Sequence, residues 1–217
     1  MNPETELHEK SPKSVGYWET YYRANPHPFN PSPFALAMAK YLEQPGDLIE
    51  LGCGNGRDAV FLNRQLDGRV IAIDQCLEEM ERLNTAHGNT GLVFVGADFS
   101  TYEPATPPRY IYSRWTMHAI DEEAEKRTLD MVARNLLPGG RFFVEARGIG
   151  DNLYGKGEQV GEHAFFTDHY RRFMDRQRFM ARLEARGLEI IHSEASHGLA
   201  VYKDDDPLIV RLIATRP

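Results

Sequence analysis

The sequence contains few cysteines and no long apolar run, and these two absences exclude several classes of protein. Cys53 and Cys76 are the only cysteines among 217 residues, too few for a disulfide scaffold and without the C-x-x-C spacing of many metal sites. No segment approaches the ~20 apolar residues of a membrane-spanning helix. Residues 1–14 are polar and lack the apolar core of a signal peptide. We therefore expect a cytoplasmic protein that does not insert into a membrane and needs no metal.

An excess of positive charge, internal repeats and low-complexity segments are also missing. The 25 Lys and Arg residues are outnumbered by 32 Asp and Glu residues, which leaves a net charge of −7. Because proteins that bind nucleic acid usually concentrate positive charge, we expect a small-molecule substrate and no nucleic acid. The length fits a single domain over residues 1–217, and nothing in the sequence indicates the oligomeric state.

Short apolar segments alternate with amphipathic ones through most of the chain. The apolar segments predict strands at 48–51, 70–74, 92–97, 110–113, 141–146, 188–192 and 208–214. Between most of these, residues 57–66, 77–87, 121–136 and 176–186 show the apolar spacing of helices. This alternation predicts an α/β fold with a mostly parallel sheet that helices cover on both faces. A short polar loop joins the last two strands and favours a hairpin, hence an antiparallel edge.

Two segments interrupt this alternation. Residues 1–45 carry a further predicted helix, with Ser32 as its N-cap and Pro33 at its first position, and we expect them to form a helical cover. Residues 147–175 are rich in Gly, Tyr, His and Arg. A loop of this length is usually functional or disordered, and its aromatic content argues against disorder. We therefore expect an insertion on the substrate side.

The segment 47–58 is the most informative part of the sequence. An apolar strand runs into three glycines at two-residue spacing, Gly52, Gly54 and Gly56, and then directly into a helix. Glycines in such a turn let a ligand approach the backbone closely. The spacing is neither the G-x-G-x-x-G of a dinucleotide site nor the Gly-Lys-Ser/Thr end of a P-loop, and Glu50 would repel a pyrophosphate. The motif therefore predicts a nucleoside without phosphates, and a cationic one would be compatible with Glu50.

Acidic residues at the ends of the next two strands support this interpretation. Asp74 ends the second predicted strand, where a carboxylate can accept hydrogen bonds from both ribose hydroxyls. Asp98 and Phe99 end the third, where they could hold an adenine amino group and pack against its ring. Acids at such positions also cap helices, but their combination with the glycine turn favours a binding site.

Over residues 45–146 these motifs occur in order and are followed by Leu137-Pro138-Gly139-Gly140 before a strand. Together they resemble class I S-adenosylmethionine-dependent methyltransferases of the small-molecule type. The resemblance implies a Rossmann-like three-layer sandwich, a seven-stranded mostly parallel sheet with an antiparallel last strand, and S-adenosyl-L-methionine as cofactor with S-adenosyl-L-homocysteine as product. The cofactor-binding residues that we expect on this basis are Glu50, Gly52, Cys53, Gly54, Asn55, Gly56, Asp74, Gln75, Asp98, Phe99 and Ser113.

The aromatic segment 17–23 is similar to the lid of the tellurite-resistance and thiopurine methyltransferase groups, where a Tyr-Trp pair precedes a cover over the cofactor. We accordingly expect Trp18 to contact the cofactor and Tyr22 the substrate. Plain core packing of a first helix is the alternative for the same residues. The last third of the chain departs from both groups.

The methyl acceptor should meet residues that follow the fourth and fifth strands, because ligands of open parallel sheets lie beyond the carboxyl ends of the strands. His118 could take a proton from an acceptor hydroxyl there, or it could be structural. Basic residues at this rim would suit an anionic acceptor, unless they pair with the acids nearby. Besides Tyr22, the candidate substrate-binding residues are Arg114, Arg147, Tyr154, Lys156, His169, Tyr170 and Arg171.

The sequence thus predicts an S-adenosylmethionine-dependent methyltransferase for a small, anionic oxygen acceptor, such as a sugar, a sugar nucleotide, a carboxylate or a phosphate. A thiol or metalloid methyltransferase and a non-catalytic S-adenosylmethionine-binding partner protein remain open. The glycine spacing disfavours a nicotinamide oxidoreductase. An enzyme that methylates base amino groups in RNA is disfavoured because no Asn/Asp-Pro-Pro-aromatic tetrad follows the fourth strand.

Overall fold

The computed structural model describes residues 15–24 and 30–217. The expected cover over residues 1–45 is therefore described only in part, since 1–14 and 25–29 lie outside these ranges. In chain order the helices and strands are α1 (Val15–Ala24), α2 (Pro33–Ala39), β1 (Leu48–Leu51), α3 (Arg57–Gln65), β2 (Val70–Asp74), α4 (Leu77–His87), β3 (Leu92–Gly96), β4 (Tyr110–Arg114), α5 (Glu122–Asn135), β5 (Arg141–Arg147), β6 (Glu158–Gly161), β7 (Ala164–Phe166), β8 (Tyr170–Arg172), α6 (Arg176–Glu184), β9 (Glu189–Ser196) and β10 (Ile209–Thr215).

Seven of these strands form one sheet in the order β3-β2-β1-β4-β5-β10-β9. The pairs among β3, β2, β1, β4 and β5 are parallel, whereas β10 pairs antiparallel with both β5 and β9. The predicted α/β fold, with a mostly parallel seven-stranded sheet and an antiparallel last strand, is confirmed. The order changes direction between β1 and β4, and ligands of such sheets bind at this point.

Helices cover both faces of the sheet because its strands are apolar on both faces. Within β5, Phe142 and Val144 belong to one buried cluster together with residues of α5 and α6. Phe143 belongs to the other cluster, with residues of α2, α3 and α4. This alternation buries successive side chains on opposite faces and gives the three layers.

Side-chain caps fix where several helices begin. The Ser32 hydroxyl accepts a hydrogen bond from the Ala35 amide, with proline at the start of α2, so the predicted cap is confirmed. Asp121 accepts from the Ala124 amide at the start of α5. Such caps satisfy amides that have no partner inside the helix.

Residues 147–175 contain strands that the sequence pattern does not indicate. β6, β7 and β8 form a small antiparallel sheet. Each has only three or four residues, too few to show a two-residue period. The aromatic rings of Tyr154, Phe165 and Phe173 pack together beside this small sheet, with centroids 5.1–6.1 Å apart.

Across the described ranges, no helix is both long enough and apolar enough to cross a bilayer.

Candidate functional site

A cavity of about 750 Å³ lies at the carboxyl ends of the parallel strands. This volume falls within the ~300–1,000 Å³ of ligand pockets. Its walls come from the loops that follow β1, β2, β3 and β4, from the end of β5, from α1, from the turn between β7 and β8, and from the loop between β9 and β10. Within the described residues, no group of three or more His, Cys, Asp or Glu side chains is arranged to hold a metal ion.

The glycine turn after β1 requires glycine for steric reasons. Gly52, Gly54 and Gly56 have φ values of 68°, 54° and 74°, in the left-handed region that other residues rarely adopt. A Cβ on Gly52 would lie 2.1 Å from Cγ2 of Thr116. The turn lies against the cavity at Gly52, Cys53, Gly54 and Asn55. Because two of these residues have no side chain, a ligand can approach the backbone there.

Asp74 connects the turn after β1 to the turn after β2. Its Oδ2 accepts a hydrogen bond of 2.9 Å from the Gly54 amide, and its Oδ1 accepts one of 3.1 Å from the Cys76 amide. Burial raises the pKa of the Asp74 carboxyl. The Cys76 side chain and the Gln75 amide also interact with this carboxylate, which lines the cavity and can accept further hydrogen bonds from a ligand.

Glu50, near the carboxyl end of β1, carries a buried carboxyl group that faces the cavity. It is 4% exposed and lines the cavity, and its Oε2 has no hydrogen-bond partner within the described ranges. Burial raises the pKa of Glu50 well above its usual value, and the negative charge of Asp58 raises it further. Because a buried charge without a partner is unfavourable, the site favours a ligand that carries a hydrogen-bond donor or a positive charge.

His118, after β4, is surrounded by positive charge. It is buried and lines the cavity, and its Nδ1 has no hydrogen-bond partner in the part of the chain that the structure describes. Burial lowers the pKa of His118 well below its usual value, and the neighbouring His169 and the positive charges of Arg171, Arg147 and, more weakly, Arg114 lower it further. Burial also lowers the pKa of His169, to about 4. The imidazole is therefore neutral at pH 7.

Two of these arginines direct their terminal nitrogens to carboxylates. Nη1 of Arg147 donates to Asp151 at 2.9 Å, and its Nη2 donates to Asp205. Nη1 of Arg171 donates to Asp168 at 2.7 Å. The pairing of rim cations with nearby acids, which the sequence leaves open as the alternative to an anionic ligand, occurs at both residues. It uses most of the donors that these two side chains could offer a ligand.

Arg114 is different, because it keeps free donors. Its Nε donates to Glu145 at 3.1 Å, while its Nη1 and Nη2 have no hydrogen-bond partner among residues 15–24 and 30–217. Glu145 is 1% exposed and also accepts from Arg211 at 2.8 Å. Arg114 thus points to an anion as its further partner.

Trp115 has an unusual backbone conformation, with a φ of 61°. Its Nε1 donates to the Glu145 carboxylate at 3.0 Å, and its amide donates to the Glu145 carbonyl at 2.8 Å. The guanidinium carbons of Arg114 and Arg147 lie 5.4 and 5.0 Å from the ring centroid. His118 contacts the same ring edge-to-face at 5.2 Å.

Helix α1 contributes aromatic side chains to the wall. The ring of Tyr17 lies 4.7 Å from that of His169, and the ring of Trp18 lies 5.2 Å from it. Tyr22, expected at the substrate, lines the cavity beside the glycine turn after β1. A Cβ on Gly54 would be 2.7 Å from its hydroxyl oxygen, and burial and then Asp74 raise the pKa of Tyr22.

The structure brings most of the predicted site residues to this one cavity. Those that line it are Trp18, Tyr22, Glu50, Gly52, Cys53, Gly54, Asn55, Asp74, Gln75, Asp98, Phe99, Arg114, His118, Arg147, His169 and Arg171.

The remaining five predicted residues do not line the cavity. Gly56 lies against Phe94, which a Cβ would approach to 2.9 Å, and Ser113 is fully buried and shares a hydrogen bond with Thr116. Tyr154 shares a hydrogen bond with His163 in the aromatic packing of the insertion. Lys156 is exposed just before β6. Tyr170 lines a separate, smaller cavity beside α5 and α6. The last three were predicted from their position in the insertion, and position along the chain does not indicate the direction in which the insertion folds.

Several lining residues were not predicted. Tyr17 and Tyr21 belong to the aromatic segment that was recognised, and Trp115 is adjacent to Arg114, so chain neighbourhood could have indicated them. Tyr202 lies in the loop between β9 and β10, 84 residues after His118, and no sequence signal places it here.

Comparison with solved structures supports the fold. The 1,6-didemethyltoxoflavin-N1-methyltransferase of Burkholderia thailandensis, solved with 1,6-didemethyltoxoflavin and S-adenosylhomocysteine bound, matches with a TM-score of 0.72 and 16% identity over 100% of this chain and 91% of that chain. The glycopeptide N-methyltransferase MtfA, in complex with S-adenosyl-L-homocysteine, matches with a TM-score of 0.67 and 16% identity over 87% and 91%. The [4+2]-cyclase SpnF matches with a TM-score of 0.64 and 15% identity over 84% and 79%.

Comparison of sequences identifies a family but no individual curated relative. No curated protein matches this sequence. The model of a family described as a methyltransferase domain matches residues 21–193, which is most of the chain. The chain therefore belongs to the methyltransferase-domain family, and the predicted membership of the class I S-adenosylmethionine-dependent methyltransferases is confirmed.

Proposed function

We propose that this protein transfers a methyl group from S-adenosylmethionine to an ionised oxygen of a small molecule. The observation that carries the proposal is a single cavity with two chemically different ends. At one end an unpartnered Glu50 oxygen and Asp74 flank a glycine turn. At the other end, arginines surround a neutral His118.

The first end fits S-adenosylmethionine. The Glu50 oxygen would accept a hydrogen bond from the amino group of the methionine part, and the Asp74 carboxylate would accept from the ribose hydroxyls. We assign Asp98 and Phe99 to the adenine, with Gln75 at its edge. The cofactor supplies a methyl group on a sulfonium sulfur, which becomes a neutral thioether when the carbon–sulfur bond breaks and the carbon–oxygen bond forms.

The second end fits an acceptor that arrives already ionised. A histidine with a lowered pKa is a weak proton acceptor, so removing a proton from a neutral hydroxyl would be slow. An ionised oxygen has no proton to lose, and the positive surroundings of His118 would attract it. The aromatic wall would exclude water, which strengthens the attraction between the two opposite charges. We therefore propose that His118 orients the acceptor oxygen and that the free nitrogens of Arg114 bind its charge.

The cofactor assignment is tested by calorimetric titration with S-adenosylhomocysteine, with NADH run in parallel. We expect binding of S-adenosylhomocysteine alone, weakened in Asp74→Ala by about 1–3 kcal/mol because charged hydrogen bonds are lost. Asp67→Ala, which removes an exposed acid outside the cavity, is the matched control and should bind as the wild type does. Binding of NADH alone, or full affinity in Asp74→Ala, would contradict the assignment.

The acceptor assignment is tested by measuring S-adenosylhomocysteine formation with carboxylates, phenols, alcohols, amines and thiols. We expect turnover of ionised oxygen acceptors, and a kcat/KM at least tenfold lower in Arg114→Gln. Turnover of thiols alone would support a thiol methyltransferase. Turnover of amines alone would support a nitrogen acceptor, as in the Burkholderia N1-methyltransferase. Cofactor binding without turnover of any class would support a non-catalytic binding protein.

The two cysteines are both buried and free, which fits a reducing compartment, and we therefore keep a cytoplasmic location as part of the proposal.

A further inference from the structure

We infer that the methyl acceptor is a small aromatic acid and that Trp115 is the residue that selects it. This inference rests on the proposed function, since the acceptor ring must occupy the cavity that holds the methyl donor. It narrows the acceptor from any small anion to one with a flat apolar ring.

The first argument is the backbone conformation of Trp115 and the hydrogen bonds that hold this residue in place. A tryptophan with a left-handed φ is strained, and such residues persist where the surroundings hold them, frequently at ligand sites. Here both the amide and the indole nitrogen of Trp115 donate to Glu145. The ring is nevertheless only half-buried and lines the cavity, so the part of it that the guanidinium groups of Arg114 and Arg147 leave uncovered is open to a ligand.

The second argument is that other aromatic groups line the same cavity from separate parts of the chain. His118 lies against Trp115, while Tyr17 and Trp18 pack against His169. From the loop before β10, Tyr202 also lines the cavity although its side chain is 65% exposed. Aromatic rings prefer to pack against one another in stacked or edge-to-face geometry, so these walls favour a flat ring over a saturated one.

The third argument is that two arginines of the cavity wall already direct their terminal nitrogens to acids, whereas a third does not. The terminal nitrogens of Arg147 bind Asp151 and Asp205, and those of Arg171 bind Asp168. Within the described residues, Arg114 retains two terminal nitrogens without partners. A sugar needs many polar partners, whereas an aromatic acid needs one cation and an apolar wall. Arg114 lies 5.4 Å from the centroid of the Trp115 ring, so one cation and one apolar ring occur side by side, as an aromatic acid requires.

The test compares three acids of equal charge in the presence of saturating S-adenosylhomocysteine. Benzoate has a flat ring, cyclohexanecarboxylate has a saturated ring, and glucuronate is polyhydroxylated. By calorimetric titration we expect benzoate to bind at least tenfold more tightly than either of the others. Trp115→Leu should reduce this preference to less than threefold, while Trp115→Phe, which keeps a ring, should retain most of it. Both variants should bind S-adenosylhomocysteine within threefold of the wild type.

The outcomes separate the two proposals. Failure of the wild type to bind S-adenosylhomocysteine would overturn the proposed function. Normal S-adenosylhomocysteine binding together with equal affinity for the three acids, or a preference for glucuronate, would overturn this inference alone. A full preference for benzoate in Trp115→Leu would also overturn the role of Trp115. The wild-type comparison requires no variant, so it decides the acceptor class even if a Trp115 variant does not fold.

Discussion

Glu50 shows how a binding requirement can be built into a single buried residue. Its carboxylate lies at the end of a central strand, 4% exposed, next to the negative charge of Asp58. Asp58 itself is fully bonded, to the Ser32 amide and hydroxyl and to the Tyr112 hydroxyl. Of these two neighbouring acids, Asp58 accepts hydrogen bonds from the fold itself, whereas Oε2 of Glu50 has no partner within the described residues and can accept one from a ligand.

This arrangement predicts opposite effects of Glu50→Gln on stability and on binding. Removing the buried, unpaired charge should raise the free energy of unfolding at pH 7 by about 1–3 kcal/mol, the cost of leaving a buried polar group without a partner. The same change should weaken S-adenosylhomocysteine binding by about 1.5–3 kcal/mol, the contribution of a charged hydrogen bond. Chemical denaturation and calorimetry measure the two quantities.

The pKa of Glu50 also fixes the sign of the pH dependence in that experiment. The pKa of Glu50 is higher in the folded protein than in the unfolded chain, so the unfolded chain loses this proton at lower pH. The stability that protonated Glu50 confers is therefore lost as the pH rises from about 4.5 through the pKa of the folded protein. Affinity for a ligand ammonium should rise over the same interval, and both dependences should flatten in Glu50→Gln. Glu103→Gln, at an exposed acid outside the cavity, is the control. A loss of stability in Glu50→Gln at pH 7 would contradict the assignment.

Which site residues could be predicted depends on where their partners lie along the chain. Glu50 is the last but one residue of β1 and Asp74 is the last residue of β2, so the strand pattern alone places them at one edge of the sheet. Arg147 was predicted to bind substrate, yet it is bound by Asp151, four residues further on, and by Asp205, 58 residues further on. The first partner could be anticipated from spacing, whereas the second depends on how the loop before β10 folds back.

At the scale of elements, helix α1 is held in place mainly by contacts around the cavity and not by packing in the core. None of its residues is fully buried. It is held by aromatic contacts with His169, by a 3.2 Å hydrogen bond from Tyr17 to Asp168, and by an exposed ion pair between Arg23 and Glu78. A helix with so little buried surface contributes little to global stability but closes one side of the site.

Two substitutions one residue apart in α1 should therefore behave differently. Tyr22→Ala removes a ring beside Gly54 and Asp74, and we expect S-adenosylhomocysteine affinity to fall by about 1–2 kcal/mol, in keeping with the loss of apolar contact. Arg23→Ala breaks an ion pair whose side chains are 69% and 75% exposed, which should change affinity and stability by less than about 1 kcal/mol. Calorimetry and thermal melting distinguish the two. Equal effects would mean that α1 acts through its docking as a whole.

The remaining elements differ in how well the sequence indicates them. Strands such as β1 and β2 are continuous apolar runs because both faces are buried, and each was predicted at its observed bounds. β6 is exposed at every residue, so it has no apolar pattern to detect. Its pairing with β7 arises from backbone hydrogen bonds that side-chain periodicity does not report.

At the scale of the whole molecule, the sheet brings together residues from distant parts of the chain. The order β2-β1-β4-β5 places the ends of four parallel strands side by side, and β10 between β5 and β9 brings the loop with Tyr202 and Asp205 to the same cavity. Alternating strands and helices predict the parallel part. The family resemblance added the number of strands and the antiparallel last strand, but the order of the strands was not predicted, because periodicity carries no information on which strands are neighbours.

Since so many elements meet at the cavity, a ligand that bridges its walls should stabilise the entire fold. At 100 times its dissociation constant, such a ligand adds about 2.7 kcal/mol to the free energy of unfolding. For a chain of this length each kcal/mol raises the melting temperature by about 2–4 °C, so we expect S-adenosylhomocysteine to raise it by about 5–11 °C. NADH at equal concentration should produce no shift, and Asp74→Ala should need a higher concentration for the same effect. A calorimetrically saturating ligand that leaves the melting temperature unchanged would show that the cavity walls unfold independently of the sheet.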